Sequence, residues 1–383
     1  MADLTFRISP NLIVGSYTTG RIGQFAADYG SKYMLVIDPV LKEMGTMEKV
    51  TQALTEHQLE FFIFDLLTET AETKTVEQAL QLARQAHITG VLAVGGGKTL
   101  HVARSVAALF NEKRGVYDII DGASTVTENP LPLICVLTTG RDSFIFTDQI
   151  PVIDSRSSRL VLLKAQRGLC KLTIFDPNLT ITLSEKQLGS MTQEVCCLAT
   201  EAYLSQKANF FSDMLAEKAV ELLGCALDEK RTQFTTVPQE ALLMQSGCLA
   251  SLAVASSSIG VASLLSLCIN ARQHISRALI TSVLFPYTID DAAKYKPARL
   301  AKLLSIFRPE ESDRTQEERA AAFAEAMRQR IAKLNLPARL KDLGVTIEQL
   351  TPAAEDAGQL DAVNSLARGM TSDDLFALIK AAY

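Results

Sequence analysis

A glycine-rich turn, formed by Gly95, Gly96 and Gly97, is the part of this sequence best suited to bind a charged ligand. It follows the apolar run Val91–Val94, which has the composition of a buried strand, and a helical pattern begins directly after it. Such a turn places unpaired helix N–H groups beside bare backbone, and glycine permits φ angles that other residues resist. We expect a phosphate or diphosphate of a nucleotide here, with a purely structural turn as the alternative.

The first half of the chain alternates between strand and helix patterns, which is typical of a parallel sheet covered on both faces. A hairpin attached to that sheet is predicted at Ile145–Asp154 and Leu160–Leu163, and a last strand ends at Asp176. The other predicted elements are strands at Leu12–Val14, Tyr33–Ile37, Phe61–Phe64, Val91–Val94 and Leu133–Leu137, and helices around Met47–His57, Thr75–Gln85 and Leu100–Phe110.

Helical patterns dominate the second half of the chain. Ser184 and Gln187 have the spacing of a capping box that opens a helix. The uncharged stretch Ala241–Ala271 is long enough to cross a bilayer, but it is rich in Ser, Ala and Gly, so we expect buried helices and no membrane span. The sequence predicts an α/β nucleotide-binding domain over residues 1–183 and an all-α domain over residues 184–383. Prolines are expected to separate its helices at Pro286, Pro297, Pro309, Pro337 and Pro352.

Composition excludes some classes of function. The 383 residues include 38 Lys plus Arg against 43 Asp plus Glu, a net charge of −5. A nucleic-acid-binding protein would need a clustered basic excess, which is missing here. The seven cysteines include no C-x-x-C pair and most lie in apolar runs, so we expect reduced core residues and a cytoplasmic protein.

Five segments follow one another along the chain in the order of a known family: Gly95–Leu100, Asp176–Leu179, Glu201–Ser205, Leu284–Pro286 and the tail Met370–Tyr383. Together they resemble the iron-containing alcohol dehydrogenase family, which includes glycerol dehydrogenase and is related to dehydroquinate synthase. The resemblance implies a Rossmann-like α/β nucleotide-binding domain followed by an all-α domain, and a homodimer. It also implies NAD(P)-dependent conversion between alcohols and carbonyl compounds.

The resemblance also implies contacts with the cofactor. Asp38 matches an acidic position beside the adenosine ribose, where a carboxylate accepts hydrogen bonds from the 2′-OH and repels a 2′-phosphate. It therefore favours NAD over NADP, and a turn residue before Pro39 is the alternative. The remaining implied cofactor contacts are Gly95, Gly96, Gly97, Lys98, Thr99, Thr138, Thr139 and Ser143.

Two departures from the family pattern lie near this site. His101 stands where the family has Asp, and its imidazole is expected either to touch a phosphate or to lie on the helix surface. After Thr139 the family has a small, glycine-rich loop, whereas this chain has the bulkier segment 140–145. Only Ser143 matches the loop's serine. We expect the larger side chains to narrow the space for a nicotinamide ring.

The metal-ligand positions depart further. The family binds Fe²⁺ or Zn²⁺ with one Asp and three His, and the matching positions here are Glu194, Leu198, Ser263 and Arg277. One carboxylate does not make a metal site, so we expect no metal. His274 is the only histidine after residue 184 and is expected to be structural, although an alignment slip of three residues would make it a ligand.

Arg277 and Glu194 are therefore the candidate catalytic residues. We expect them to pair across the cleft between their helices in place of the metal, with the guanidinium also able to hold a substrate carboxylate or phosphate. The leading hypothesis is a metal-independent NAD(P)-linked reductase of a small, anionic carbonyl compound. The alternatives are a pseudoenzyme with a regulatory or partner-binding role and a metal-dependent dehydrogenase with misplaced ligands.

Overall fold

The computed structural model describes residues 9–233, 235–311 and 314–383. The chain forms two compact units that divide between Thr182 and Leu183, and we call them unit 1 and unit 2. Unit 1 contains the described strands, and unit 2 is helical in the residues that the structure describes.

Six strands of unit 1 form one sheet in the order β1-β8-β5-β4-β2-β3, and every neighbouring pair in it is parallel. Strands β4 and β5 are buried along their whole length, which explains their continuous apolar sequence. The strands are β1 (Asn11–Val14), β2 (Lys32–Ile37), β3 (Glu60–Phe64), β4 (Gly90–Gly95), β5 (Leu133–Leu137), β6 (Gln149–Asp154), β7 (Arg159–Lys164) and β8 (Cys170–Phe175).

The predicted hairpin exists, but its attachment to the main sheet was wrong. Strands β6 and β7 form a separate antiparallel sheet. Its outer edges pair with loop residues, because Ile153 donates its amide to Ala71 and Val126 donates its amide to Lys164. These loop contacts satisfy backbone groups at the edges of the hairpin, which therefore needs no strand of the main sheet beside it.

The longer helices of unit 1 begin one to three residues before the predicted segments. Their early starts include turn residues such as Gly97, which carries little helical signal of its own. The helices of unit 1 are α1 (Ile22–Ala26), α2 (Val40–Glu43), α3 (Thr46–Glu56), α4 (Thr73–Gln85), α5 (Gly97–Leu109) and α6 (Val116–Asp121).

Unit 2 opens with the predicted capping box. The Gln187 amide donates to the Ser184 hydroxyl at 3.3 Å, and the Ser184 amide donates to the Gln187 side chain at 2.9 Å. The helices of unit 2 are α7 (Glu185–Leu204), α8 (Phe210–Leu227), α9 (Glu229–Thr232), α10 (Gln239–Ala255), α11 (Val261–Gln273), α12 (Arg277–Ala293), α13 (Pro297–Phe307), α14 (Gln316–Lys333), α15 (Ile347–Gln359) and α16 (Ser372–Ala382).

The expectation that prolines separate these helices was wrong at two positions. Pro286 lies inside α12 and Pro352 lies inside α15. A proline inside a helix costs about 3 kcal/mol in isolation. In α12 the cost is offset by tertiary packing, since most of the helix between Ala278 and Ala292 is buried.

The uncharged stretch 241–271 covers most of α10 and α11, which are separated by the turn at residues 256–260. No helix in the described part of the chain is both long enough and apolar enough to span a bilayer. All seven cysteines are free thiols. Six are buried, and Cys225 is half-buried.

Candidate functional site

The glycine turn of unit 1 leads from β4 directly into α5. Gly96 is the N-cap residue, and no side chain caps this helix end. The first intrahelical hydrogen bond runs from the Leu100 amide to the Gly96 carbonyl at 3.0 Å. The amides of residues 97–99 therefore have no acceptor within the helix, and they are suited to bind an anion.

The glycines of this turn do not use their conformational freedom. Gly140 is among the described glycines with positive φ, whereas Gly95, Gly96 and Gly97 are not. Close packing requires a glycine at residue 95, where an added Cβ would lie 2.4 Å from the Thr99 hydroxyl. At Gly96 an added Cβ would lie 3.2 Å from the Thr139 methyl carbon.

The structure brings Asp38 and Lys98 together. Asp38 follows β2, and its amide donates to the Val94 carbonyl of the neighbouring β4 at 3.1 Å. The Lys98 ammonium lies 3.8 Å from the Asp38 carboxylate, and the two side chains are 27% and 19% exposed. The Asp38 carbonyl also accepts the Leu41 amide at 3.0 Å, so this residue forms a turn as well.

The three predicted threonines, Thr99, Thr138 and Thr139, surround the same turn. The Thr138 amide donates to the Gly95 carbonyl at 3.1 Å. The hydroxyl groups of Thr99 and Thr139 are buried and have no hydrogen-bond partner among the described residues. Buried hydroxyl groups are normally paired, so these two are available to a ligand or a water molecule at the turn.

Exposed apolar side chains occupy the same edge of the sheet. Val40 follows β2 and is 52% exposed, and Leu66 follows the neighbouring β3 and is 58% exposed. The carboxyl ends of parallel strands are where ligands bind in such sheets, and apolar surface there suits a flat base. Neither residue is predicted from the sequence, because an isolated apolar residue after a strand carries no distinct signal.

The bulky loop folds inward and packs on α5. Asp142, Ser143 and Phe144 are all buried. The His101 Nε2 atom lies 3.1 Å from the Asp142 carboxylate, and the Phe144 ring packs edge-on against the imidazole at 6.1 Å. The expected surface position of His101 was therefore wrong, since its imidazole is buried and paired with Asp142, while its contact with a phosphate stays an expectation. The loop supplies the carboxylate that the imidazole meets.

A charged pair links two helices of unit 2. Glu194 lies on α7, and Arg277 is the first residue of α12. The Arg277 Nη2 group donates to the Glu194 carboxylate at 3.3 Å. The Glu194 side chain is 3% exposed and that of Arg277 is 19% exposed. A carboxylate buried to this degree needs a charged partner, and the guanidinium provides one.

The four matched positions do not fit a catalytic Fe²⁺ or Zn²⁺. Leu198 is a buried hydrocarbon and Arg277 is a cation already directed at Glu194. Ser263 is buried, and its amide donates to Glu201. Catalytic zinc normally takes three protein ligands. Across residues 9–233, 235–311 and 314–383, no group of three or more His, Cys, Asp or Glu side chains could hold a metal ion.

Glu201 lies seven residues after Glu194 on α7, which is about two helical turns, and it contacts the start of α11. Its carboxylate accepts the Ser263 amide at 3.0 Å, and an added Cβ at Gly260 would lie 2.5 Å from its side chain. Burial raises the pKa of Glu201, although the hydrogen bonds from Ser263 act in the opposite direction. The sequence indicated Glu201 only as part of a family segment, because a contact between residues 62 apart leaves no local pattern.

His274, the other candidate ligand, ends α11. It is exposed and has a left-handed backbone conformation with φ 53°. The structure places it at a helix terminus, where a residue in this conformation closes the last turn.

Comparison with known proteins gives a family for both units. Residues 9–177 match the family model for iron-containing alcohol dehydrogenase, and residues 192–383 match the model for the C-terminal part of the Fe-containing alcohol dehydrogenase family. Long-chain-alcohol dehydrogenase 1 of Geobacillus thermodenitrificans is 26% identical over 334 residues, covering 86% of this chain and 84% of that protein. NADPH-dependent butanol dehydrogenase of Clostridium saccharobutylicum is 22% identical over 335 residues, covering 86% and 84%.

The fold agrees with solved structures. The crystal structure of 1,3-propanediol oxidoreductase superposes with a TM-score of 0.90 at 19% sequence identity, and the match covers 100% of both chains. The expected architecture, a Rossmann-like α/β domain followed by an all-α domain, is therefore confirmed. The chain belongs to the iron-containing alcohol dehydrogenase family.

Proposed function

We propose that this chain is an NAD(P)-linked oxidoreductase that reduces a small carbonyl compound carrying an anionic group, without a catalytic metal. Membership of an alcohol dehydrogenase family supports the reaction class. The observation that carries the rest is the Glu194–Arg277 ion pair, which occupies two positions where the family resemblance implies metal ligands.

Unit 1 offers the groups that a dinucleotide needs. The uncapped start of α5 provides amides for the diphosphate, and the unpaired hydroxyl groups of Thr99 and Thr139 lie at the same turn. Asp38 offers a carboxylate to the ribose, and Val40 offers apolar surface beside it. A bound NADH or NADPH supplies the hydride, and the new hydroxyl group takes its proton from water.

Arg277 is the candidate catalytic residue in unit 2. A guanidinium has five N–H donors in a rigid fork, and its contact with Glu194 is through Nη2. Such a group binds a carboxylate or phosphate of the substrate and stabilises the negative charge that grows on a carbonyl oxygen during hydride addition. It does not acidify an alcohol as a metal ion does, so we expect reduction to be favoured over alcohol oxidation.

Glu194 is a positioning residue in this scheme. Its buried carboxylate fixes the guanidinium by a charge-assisted hydrogen bond and keeps α7 and α12 in register at that point. An Arg277 side chain without this contact would lose its fixed orientation, and the loss would weaken transition-state stabilisation more than substrate binding.

Arg277→Ala tests the proposal. We expect kcat/KM for chelator-treated protein with NAD(P)H to fall by about 10²–10³-fold on anionic carbonyl substrates such as 2-oxo acids. Arg277→Lys keeps the charge without the fork and is expected to recover part of the loss. We also expect the free energy of unfolding to fall by about 1–3 kcal/mol, because Glu194 is left buried without its cation.

Arg272→Ala is the matched control. Arg272 pairs with the buried Asp356 at 2.6 Å, so its removal also breaks an ion pair of unit 2. It should lower stability while leaving kcat/KM of the folded protein unchanged. The proposed role of Arg277 would be contradicted if Arg277→Ala bound the dinucleotide and kept the wild-type kcat/KM and free energy of unfolding. Failure of both NADH and NADPH to bind in calorimetry would favour the pseudoenzyme instead.

A further inference from the structure

We propose that Lys98 determines the cofactor specificity of this chain, by neutralising Asp38 and binding the 2′-phosphate of NADPH. This assignment rests on the proposed function, because it concerns the same dinucleotide site. With Lys98 in this role the chain binds NADPH as well as NADH, whereas Asp38 without Lys98 would favour NAD.

Lys98 lies beside the Asp38 carboxylate, which is proposed to contact the ribose. Asp38 is fixed at the end of β2 by its amide bond to Val94, and Lys98 is the second residue of α5 on the other side of the glycine turn. Their charged groups are 3.8 Å apart. Both side chains keep a fraction of their surface exposed, 27% for Lys98 and 19% for Asp38, so a ligand is able to reach them.

The charges decide what this pair accepts. An unpaired carboxylate repels the 2′-phosphate of NADPH, which is the usual reason for NAD preference. A carboxylate with an ammonium beside it presents a pair with no net charge. The Lys98 ammonium has three rotatable donors on a flexible stem, so it can turn from Asp38 to a phosphate that carries more negative charge than a carboxylate. With NADH bound, Asp38 remains able to accept a hydrogen bond from the 2′-OH.

A second role for Lys98 makes a different prediction. The sequence places this residue beside the diphosphate, which NADH and NADPH share. A diphosphate contact would therefore weaken both dinucleotides equally when Lys98 is removed. A 2′-phosphate contact would weaken NADPH alone.

Calorimetry on the full chain with NADH and with NADPH separates these roles. We expect the wild-type Kd values to agree within about tenfold. Lys98→Met keeps the length of the side chain and removes its charge, and it should raise the Kd of NADPH by about 10- to 100-fold, as expected for a lost charge-assisted hydrogen bond. The Kd of NADH should change by less than about threefold. Asp38→Asn should tighten NADPH and weaken NADH.

Lys32→Met is the matched control. Lys32 makes an ion pair with Glu60 at the same 3.8 Å, but this pair lies at the amino ends of β2 and β3, away from the glycine turn. Its replacement should leave both Kd values unchanged.

Three outcomes would overturn the assignment. Equal weakening of NADH and NADPH in Lys98→Met would assign Lys98 to the diphosphate. Wild-type binding of NADH with no binding of NADPH would show that Asp38 alone sets the specificity. If neither dinucleotide bound, both the proposed function and this assignment would be wrong. That result is distinguishable from the other two, because they each require that at least one dinucleotide binds.

Discussion

Thr99 occupies the space that a side chain at residue 95 would need. An added Cβ at Gly95 would lie 2.4 Å from the Thr99 hydroxyl oxygen and 2.6 Å from its Cβ. Glycine at residue 95 is therefore required by the packing of α5 on β4 whether or not a ligand binds. The packing requirement is weaker at Gly96, where the nearest atom to an added Cβ is the Thr139 methyl carbon at 3.2 Å.

Gly95→Ala should lower the free energy of unfolding by about 1–3 kcal/mol, because the new methyl group forces α5 to shift. Urea unfolding followed by circular dichroism measures the loss. Gly20→Ala is the control within unit 1, since an added Cβ there has no atom within 4 Å. A Gly95→Ala protein that unfolds at the wild-type urea concentration would contradict the packing requirement.

At the scale of elements, the amino end of α11 is capped by a buried carboxyl group from another helix and not by the side chain of its own N-cap residue. Gly260 is its N-cap and has no side chain, while Glu201 on α7 accepts the Ser263 amide. One glutamate thus joins the last turns of α7 to the first turn of α11. The same face of α7 carries Glu194 seven residues earlier, so the capping contact and the Arg277 contact share one helix.

The raised pKa of Glu201 predicts a pH dependence of stability. The folded state binds the proton of this carboxyl group more tightly than the unfolded chain does, whose pKa is near 4.5. Ionisation in the folded state therefore costs stability, and the cost is absent below pH 4.5 and grows as the pH rises above it. Glu201→Gln keeps an acceptor oxygen and cannot ionise, so its stability relative to the wild type should be greater at pH 8 than at pH 4.5, with the gain complete as the pH passes the folded-state pKa of Glu201.

Urea unfolding of both proteins across this range measures the difference. Glu221→Gln removes a carboxylate from the surface of α8 and serves as the control for the change in net charge. A wild-type advantage that grows with pH would show that Glu201 is stabilised as an anion, opposite to the direction expected here.

At the scale of the whole molecule, the family fold is retained, while we propose that the chemistry at the metal-ligand positions differs. The superposition on 1,3-propanediol oxidoreductase covers the full length of both chains, although only 19% of the residues are identical. The histidines of this chain are few, and the four matched positions hold a carboxylate, a hydrocarbon, a hydroxyl and a guanidinium at Glu194, Leu198, Ser263 and Arg277. Fold and metal site are separable, because helix packing depends on apolar surface and metal binding depends on a few donor atoms.

Metal addition should therefore leave the protein unchanged. After treatment with a chelator, equilibration with Zn²⁺ or with Fe²⁺ under anaerobic conditions should give far less than one bound metal ion per chain. The Tm should also stay the same, because a ligand that does not bind the folded state does not stabilise it. Arg277→His is a useful comparison, since it restores one ligand type. Stoichiometric metal with a raised Tm in the wild type would contradict the expectation.

The sequence by itself determined the secondary structure where neighbouring residues decide it. Continuous apolar runs predicted β4 and β5, and the Ser184–Gln187 spacing predicted the start of α7, because a capping box joins residues three apart. Pro286 shows the limit of local rules, since its cost to α12 is offset by packing against other helices.

Only the tertiary structure decided how the polar side chains pair. Family resemblance named Asp38 and Lys98 separately, and it gave His101 no partner. The fold joins Lys98 to Asp38 across the glycine turn, and it joins His101 to Asp142 from 41 residues away. The energy of a charge pair depends on the distance between its atoms and on their burial. Neither quantity is contained in the identity or spacing of residues so far apart, and the folded chain sets both.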